Sequence, residues 1–333
     1  MYYSSDISDI SLTSSGASTP RANHPSGYLP DQGLVDAVNV ALILSKPLLV
    51  TGDPGTGKTQ LASSIAWQLA SRGRLSVSSA DIERYHTKST STARDLFYTF
   101  DAIRRFQARR RGDDNASFIT YNALGRAMLR ALSAEHVPAS VQAVVTHAAP
   151  TRTVVLIDEI DKAPRDFPND LLNEIEQMSF RIPELGNVEI GGPSAPIADA
   201  LKPIVVITSN SEKNLPDPFL RRCIYYNIPF PSAERLEQIL SSRLAHMSTA
   251  NGPLLNDVLR FFGTLTERKV LQRQVSPAEL IEWLTLMLKR GAKPNQPLKS
   301  ARSHALEGLP SLTKNPSDQP VARAELEAFL EAR

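Results

Sequence analysis

Cysteine is almost absent. Cys223 stands alone among 333 residues, which excludes an internal disulfide framework and a cysteine-based zinc site. The six histidines (His24, His86, His136, His147, His246 and His304) never fall at close metal-ligand spacing. Neither charge sign prevails: 37 Lys and Arg against 35 Asp and Glu leave a net of +2, which argues against a nucleic-acid binder working by overall charge. Long apolar runs are missing too. Leu34 to Val50 is interrupted by Asp36, Asn39, Ser45 and Lys46, short of the roughly 20 apolar residues a membrane span needs. Residues 1–27 carry no base before Arg21 and no apolar h-region, so they do not read as a secretory signal, and a cytoplasmic location is expected. Their Ser, Gly and Pro content predicts a disordered tail over 1–27.

What remains is ordinary globular material, 41% hydrophobic and 22% charged, long enough for two or three domains. Over 28–230 short apolar runs alternate with helical patterns, the rhythm of an α/β domain. Core strands are expected at Leu48–Thr51, Val154–Ile157, Ile204–Thr208 and Ile224–Ile228, with another between Leu75 and Thr87 that the pattern does not place. Continuous rather than alternating apolar strands predict a parallel sheet covered on both faces. Over 231–333 amphipathic helices take over, one of them starting at Ser276 with Pro277 and a capping-box Glu279. A Pro- and Ser-containing stretch between Gly291 and Pro320 precedes a last helix near Val321–Leu330.

The most specific motif is Gly52-Asp53-Pro54-Gly55-Thr56-Gly57-Lys58-Thr59, a G-x-x-x-x-G-K-[ST] loop between an expected strand and an expected helix, with Gln60 following. Its glycines let successive N–H groups point inward at a phosphate. Lys58 would reach the β/γ-phosphates, and the Thr59 hydroxyl would ligate Mg2+. A second signal lies where the strand Val154–Ile157 runs into Asp158-Glu159-Ile160-Asp161. Unpaired buried charge is costly, so two carboxylates at a buried strand's end call for an explanation. One is chemical: Asp158 on Mg2+ through its water shell, and Glu159 orienting an attacking water. The other is a helix N-cap, a role that Asp161 fits best.

Asp158-Glu159-Ile160-Asp161-Lys162-Ala163-Pro164, followed by Leu171-Leu172-Asn173-Glu174-Ile175-Glu176, resembles the D-E-I-[ND]-[RK]-A-P signature of MoxR-type AAA+ ATPases. The resemblance spans roughly Tyr28 to Pro231. It implies a parallel-sheet α/β P-loop core over 28–230 followed by a small all-α lid over 231–333, with ATP and Mg2+ as cofactors. Ile204–Thr208 stops at Ser209-Asn210; Asn210 matches the family's sensor-1 position, while local sequence alone would accept it as a turn residue. Leu215 to Cys223 looks like the family segment ending L-D-R-F, which puts Arg222 at the arginine-finger position and Arg221 where the family often has Asp. A finger acts on a neighbouring subunit's phosphoryl group, and the alternative is a solvated or ion-paired arginine. Cys223 beside them reads as a small buried residue rather than a nucleophile.

A hundred positions separate Lys58 from Asp158, more than one strand and helix require. The excess, about 83–135, corresponds to the helix-2 insert of MoxR-type proteins, which faces the ring pore. Within it Leu96, Phe100, Ile103 and Phe106 suggest an amphipathic helix ending in Arg109–Arg111, and Phe118–Leu132 would complete the insert. The basic run from Arg104 to Arg111 reads as a solvated helix end or as a contact for an acidic partner or nucleic acid. Arg181–Ile190 alternates around a turn and predicts a β-hairpin at the family's pre-sensor-1 position. One departure stands out: where lids of this class place a sensor-2 arginine, this chain has Ser276-Pro277-Ala278-Glu279, with Arg273 the nearest arginine.

The resemblance implies ATP hydrolysis coupled to remodelling of a protein client, a von Willebrand A-domain protein being one client class. It also implies a homo-oligomeric ring, expected to be a hexamer, with no membrane partner. A nucleotide-gated interaction module with slow hydrolysis and a nucleic-acid-dependent motor are the competing readings.

Overall fold

The computed structural model describes residues 2–8, 24–75, 82–108, 115–142, 149–211, 213–244, 252–267 and 270–332, the Leu172 and Leu244 side chains excepted. Two compact units divide them: the first holds 2–8, 30–52 and 58–228, the second 24–29, 53–57 and 229–332.

The first unit runs α1 (Gln32–Leu44), β1 (Leu48–Gly52), α2 (Lys58–Ser71), β2 (Glu83–His86), β3 (Tyr98–Phe100), α3 (Ala102–Gln107), β4 (Ile119–Tyr121), α4 (Ala123–Ala131), α5 (Ala139–Gln142), β5 (Val154–Asp158), α6 (Phe167–Gln177), β6 (Ser179–Ile182), β7 (Val188–Gly191), β8 (Ile204–Thr208), α7 (Asp217–Leu220) and β9 (Ile224–Ile228). Five strands form a parallel sheet in the order β2-β5-β8-β1-β9. Every residue of β5 and of β8 is buried, the burial that uninterrupted Val, Leu and Ile runs dictate. The registers Val50↔Thr208 and Ile157↔Ile207 bring the carboxyl ends of β1, β8 and β5 side by side. In open sheets of this kind ligands bind outside those ends.

Four expectations are corrected here. The strand that the pattern could not place is Glu83–His86, an edge strand paired to β5, so the insert does not begin at 83. Leu96, Phe100, Ile103 and Phe106 do not share one helix: Tyr98–Phe100 pair antiparallel with Ile119–Tyr121, and Asp101 caps the short α3 between them. Ile103 and Phe106 are 72% and 92% exposed on α3. Helix α4, expected to complete the insert, buries Leu124, Ala127 and Met128 in one core with Val155 and Ile157 of the sheet. The first residues are not a free tail: Tyr3 is fully buried, its hydroxyl 3.1 Å from Ser64 Oγ, and Asn39 accepts from the Tyr2 and Tyr3 amides. Residues 9–23 and Arg109–Arg111 lie outside the described residues. The expected hairpin forms from β6 and β7, antiparallel with Ile182 opposite Val188.

The second unit carries α8 (Ala233–Leu244), α9 (Pro253–Glu267), α10 (Pro277–Lys289), α11 (Arg302–Leu312) and α12 (Asp318–Glu331). Phe261 and Trp283 lie at its core, and the Trp283 indole donates to the Ala305 carbonyl at 3.0 Å. Ser276 caps α10 and the Glu279 carboxylate accepts a hydrogen bond from the Ser276 amide, the capping box that the sequence predicts. The Gly291–Pro320 stretch is more ordered than its composition suggests, since α11 holds Pro310 in its last turn and α12 starts at Asp318, ahead of Pro320. Among the described residues no helix is long and apolar enough to cross a membrane.

Candidate functional site

Between β1 and α2 the backbone turns through Gly55 at φ 78° and Gly57 at φ 92°, conformations that side chains rarely adopt. The turn is closed by the Thr56 hydroxyl donating to the Asp53 carbonyl at 2.8 Å. Helix α2 then opens at Lys58 with no acidic residue in its first turn, so the positive end of its dipole is available to an anion. Lys58 is buried and its ammonium donates to the Gly52 carbonyl at 2.6 Å. Asp53, Pro54, Gly55 and Gln60 are exposed, whereas Gly52, Thr56, Gly57 and Thr59 are half-buried. The loop tip groups with the helical unit. A Cβ added at Gly55 would meet Ser276 Cβ at 2.8 Å, and one at Gly57 would meet the Tyr28 ring at 3.1 Å. Arg273, the nearest arginine to the lid position, is ion-paired to Glu279 at 3.2 Å.

The acidic end of β5 meets the first turn of α2. Asp158 Oδ1 accepts from Thr59 Oγ1 at 3.1 Å and from Thr208 Oγ1 at 2.5 Å. Glu159 follows in the left-handed region at φ 58°, a strained backbone for a non-glycine residue. Its amide donates to Thr208 Oγ1 at 2.9 Å. One carboxylate oxygen of Glu159 accepts from Asn210 Nδ2 at 3.3 Å, and the other is ion-paired to Lys162 Nζ at 2.6 Å. The expectation that Asp161 is the N-cap is corrected: Glu159 holds the cap position of the short turn Ile160–Lys162, and Asp161 is buried inside it. There Asp161 accepts the Asn210 amide at 3.2 Å, a bond that fixes the end of β8 against the end of β5.

Of the sequence-predicted residues, Lys58, Thr59, Asp158, Glu159 and Asn210 are thus assembled at the ends of three adjacent strands. Arg221 and Arg222 stand elsewhere, in the turn between α7 and β9, where Arg222 Nε meets Glu176 Oε1 at 2.6 Å. Buried Phe219 and buried Cys223 fix the turn on either side. Burial also pushes the Cys223 thiol up to about 12, which leaves it without nucleophilic character at neutral pH.

A magnesium ion keeps several waters and takes only one or two protein carboxylates besides substrate phosphates. The Thr59 hydroxyl and the Asp158 carboxylate, 3.1 Å apart at the mouth of a phosphate loop, fit that donor set. Among the described residues no group of three His, Cys, Asp or Glu side chains offers an all-protein metal site.

Residues 48–231 match the family described as "ATPase family associated with various cellular activities (AAA)". The chain belongs to the AAA family. Among solved structures this AAA protein is similar to one titled "Structure of C. elegans PCH-2", with 16% identity and a TM-score of 0.44 over 86% of this chain and 70% of that one. No curated protein matches it. Its AAA site also contains residues that sequence reasoning missed. Thr208 bonds both Asp158 and the Glu159 amide, and His86 Nδ1 lies 3.6 Å from Asp158 Oδ2. Lys162, three residues beyond Glu159, could have been found from the i, i+3 spacing of opposite charges. Thr208 and His86 carried no such signal, because their partners lie on neighbouring strands.

Proposed function

We propose that this AAA chain binds ATP with Mg2+, hydrolyses it, and uses the turnover to remodel a partner protein in the manner of the MoxR-type branch. The observation that carries the reading is the convergence of Thr59, Asp158, Glu159 and Asn210 within one hydrogen-bonded cluster at the carboxyl ends of β1, β5 and β8. Amides of the 52–59 loop and the Lys58 ammonium bind the triphosphate. Thr59 and Asp158 would hold magnesium, which when bound neutralises charge on the phosphates. Glu159 orients the attacking water and takes up its proton, and Asn210 holds the Glu159 carboxylate in line. Arg222 completes the site of a neighbouring subunit, so a ring of identical chains is part of the reading. The Asp158-to-Pro164 signature and the antiparallel β3–β4 pair inserted after β2 support the MoxR-type assignment.

Steady-state phosphate release from ATP tests the catalytic reading. Wild type should turn over in Mg2+ and lose activity in chelator, and Asp158→Asn should lose activity even in excess Mg2+. Equal rates for Asp158→Asn and wild type would refute it. A nucleotide-gated module with slow hydrolysis is the second reading, favoured by Ser276 where lids of this class carry an arginine. Nucleotide-dependent assembly without measurable phosphate release would select it.

A further inference from the structure

The ion pair between Arg222 and Glu176 joins the turn before β9 to the last turn of α6. An acidic side chain in the last turn of a helix opposes the helix dipole, so helix stability does not account for Glu176. Nor does fold stability: the two side chains are 38% and 50% exposed, and surface pairs of this kind contribute little. What the contact does fix is direction. The carboxylate takes the guanidinium by Nε. That bond engages Nε and not the two terminal nitrogens, the edge suited to phosphate oxygens. Phe219 and Cys223, both buried, hold the backbone on which Arg222 stands, so backbone and head group are anchored separately.

We infer that Glu176 is a positioning residue for Arg222, setting its guanidinium in the orientation in which it serves the neighbouring subunit's site. The inference rests on the finger role proposed above and deepens it. A group misplaced by about 1 Å can cost about a hundredfold in rate, which sets the scale of the expected effect.

The test compares wild type, Arg222→Ala, Glu176→Gln and Glu176→Asp in phosphate release across a range of protein concentrations. Binding of a fluorescent ATP analogue and sedimentation are measured in parallel. Arg222→Ala should lose about a thousandfold in turnover. Glu176→Gln should lose about ten- to a hundredfold in kcat, with unchanged KM, nucleotide affinity and assembly, and Glu176→Asp should recover part of it. Mixing is the decisive readout. Glu176→Gln subunits keep an intact hydrolytic centre, and Glu159→Gln subunits keep an intact finger. Mixtures of the two should therefore turn over faster than either alone. Arg222→Ala impaired while Glu176→Gln matches wild type overturns the inference and leaves the finger standing. Arg222→Ala at wild-type rate overturns the finger and the inference together. Loss of kcat in Glu176→Gln that mixing does not relieve also overturns it, since it marks a structural fault.

Discussion

The Thr59 hydroxyl lies 3.1 Å from the Asp158 carboxylate although 99 positions separate the two residues. The sheet creates the proximity: β8 lies between β1 and β5, and Thr59 stands in the first turn of α2, the helix that follows β1. If both oxygens serve the same cation, Thr59→Val should raise the Mg2+ concentration for half-maximal turnover by about ten- to a hundredfold while leaving the fold intact. Magnesium titration of phosphate release, with circular dichroism as the folding control, measures this.

Gly55 is bounded twice, by φ 78° and by Ser276 2.8 Å from where a Cβ would stand. Gly55→Ala should cost about 1–3 kcal/mol through backbone strain. Nucleotide affinity should fall with it. Ser276→Gly in the same chain should relieve the closest contact and leave the φ strain; with Ser276→Gly alone as the control for the lost α10 cap, thermal unfolding of the single and double variants separates the two causes.

Burial holds the Cys223 thiol protonated, raised from 9.0 to about 12, whereas the unfolded chain ionises at the ordinary value. The associated stability is therefore complete below pH 9 and falls as pH rises from about 9 towards 12. At pH 8 a thiol-alkylating reagent should label the native chain far more slowly than the denatured one. Equal labelling rates would show an accessible thiolate.

Tyr3 is buried to 0% exposure near the start of the chain, with its hydroxyl on Ser64 of α2. Tyr3→Ala should destabilise the first unit by about 3–5 kcal/mol, the cost of emptying a large aromatic site. Tyr3→Phe, which leaves only the Ser64 hydroxyl to find another partner, should cost about 1 kcal/mol. Denaturant titration reads both.

The buried strands were legible because β5 and β8 are covered on both faces, so their apolar runs are unbroken. Strand β2 was not, for it is an edge strand in which Arg84 points outward and His86 is polar. The loop Gly52–Thr59 could be read because phosphate binding demands particular residue types at fixed spacing. Thr208, Asp161 and Glu176 could not, since each acts through a partner 46 to 50 positions away. Tyr3 and α11 were hidden by composition: a Ser-rich neighbourhood masked one anchoring aromatic, and a Pro- and Ser-containing stretch masked a helix that carries Pro310 inside it.

Glu159 is the residue on which the account turns, held at once by Asn210, by Lys162 and by the Thr208 hydroxyl on its amide. The direct measurement is ATP affinity and phosphate release for Glu159→Gln beside wild type. Unchanged affinity with turnover reduced about a hundredfold or more is the predicted result. Turnover equal to wild type would contradict it.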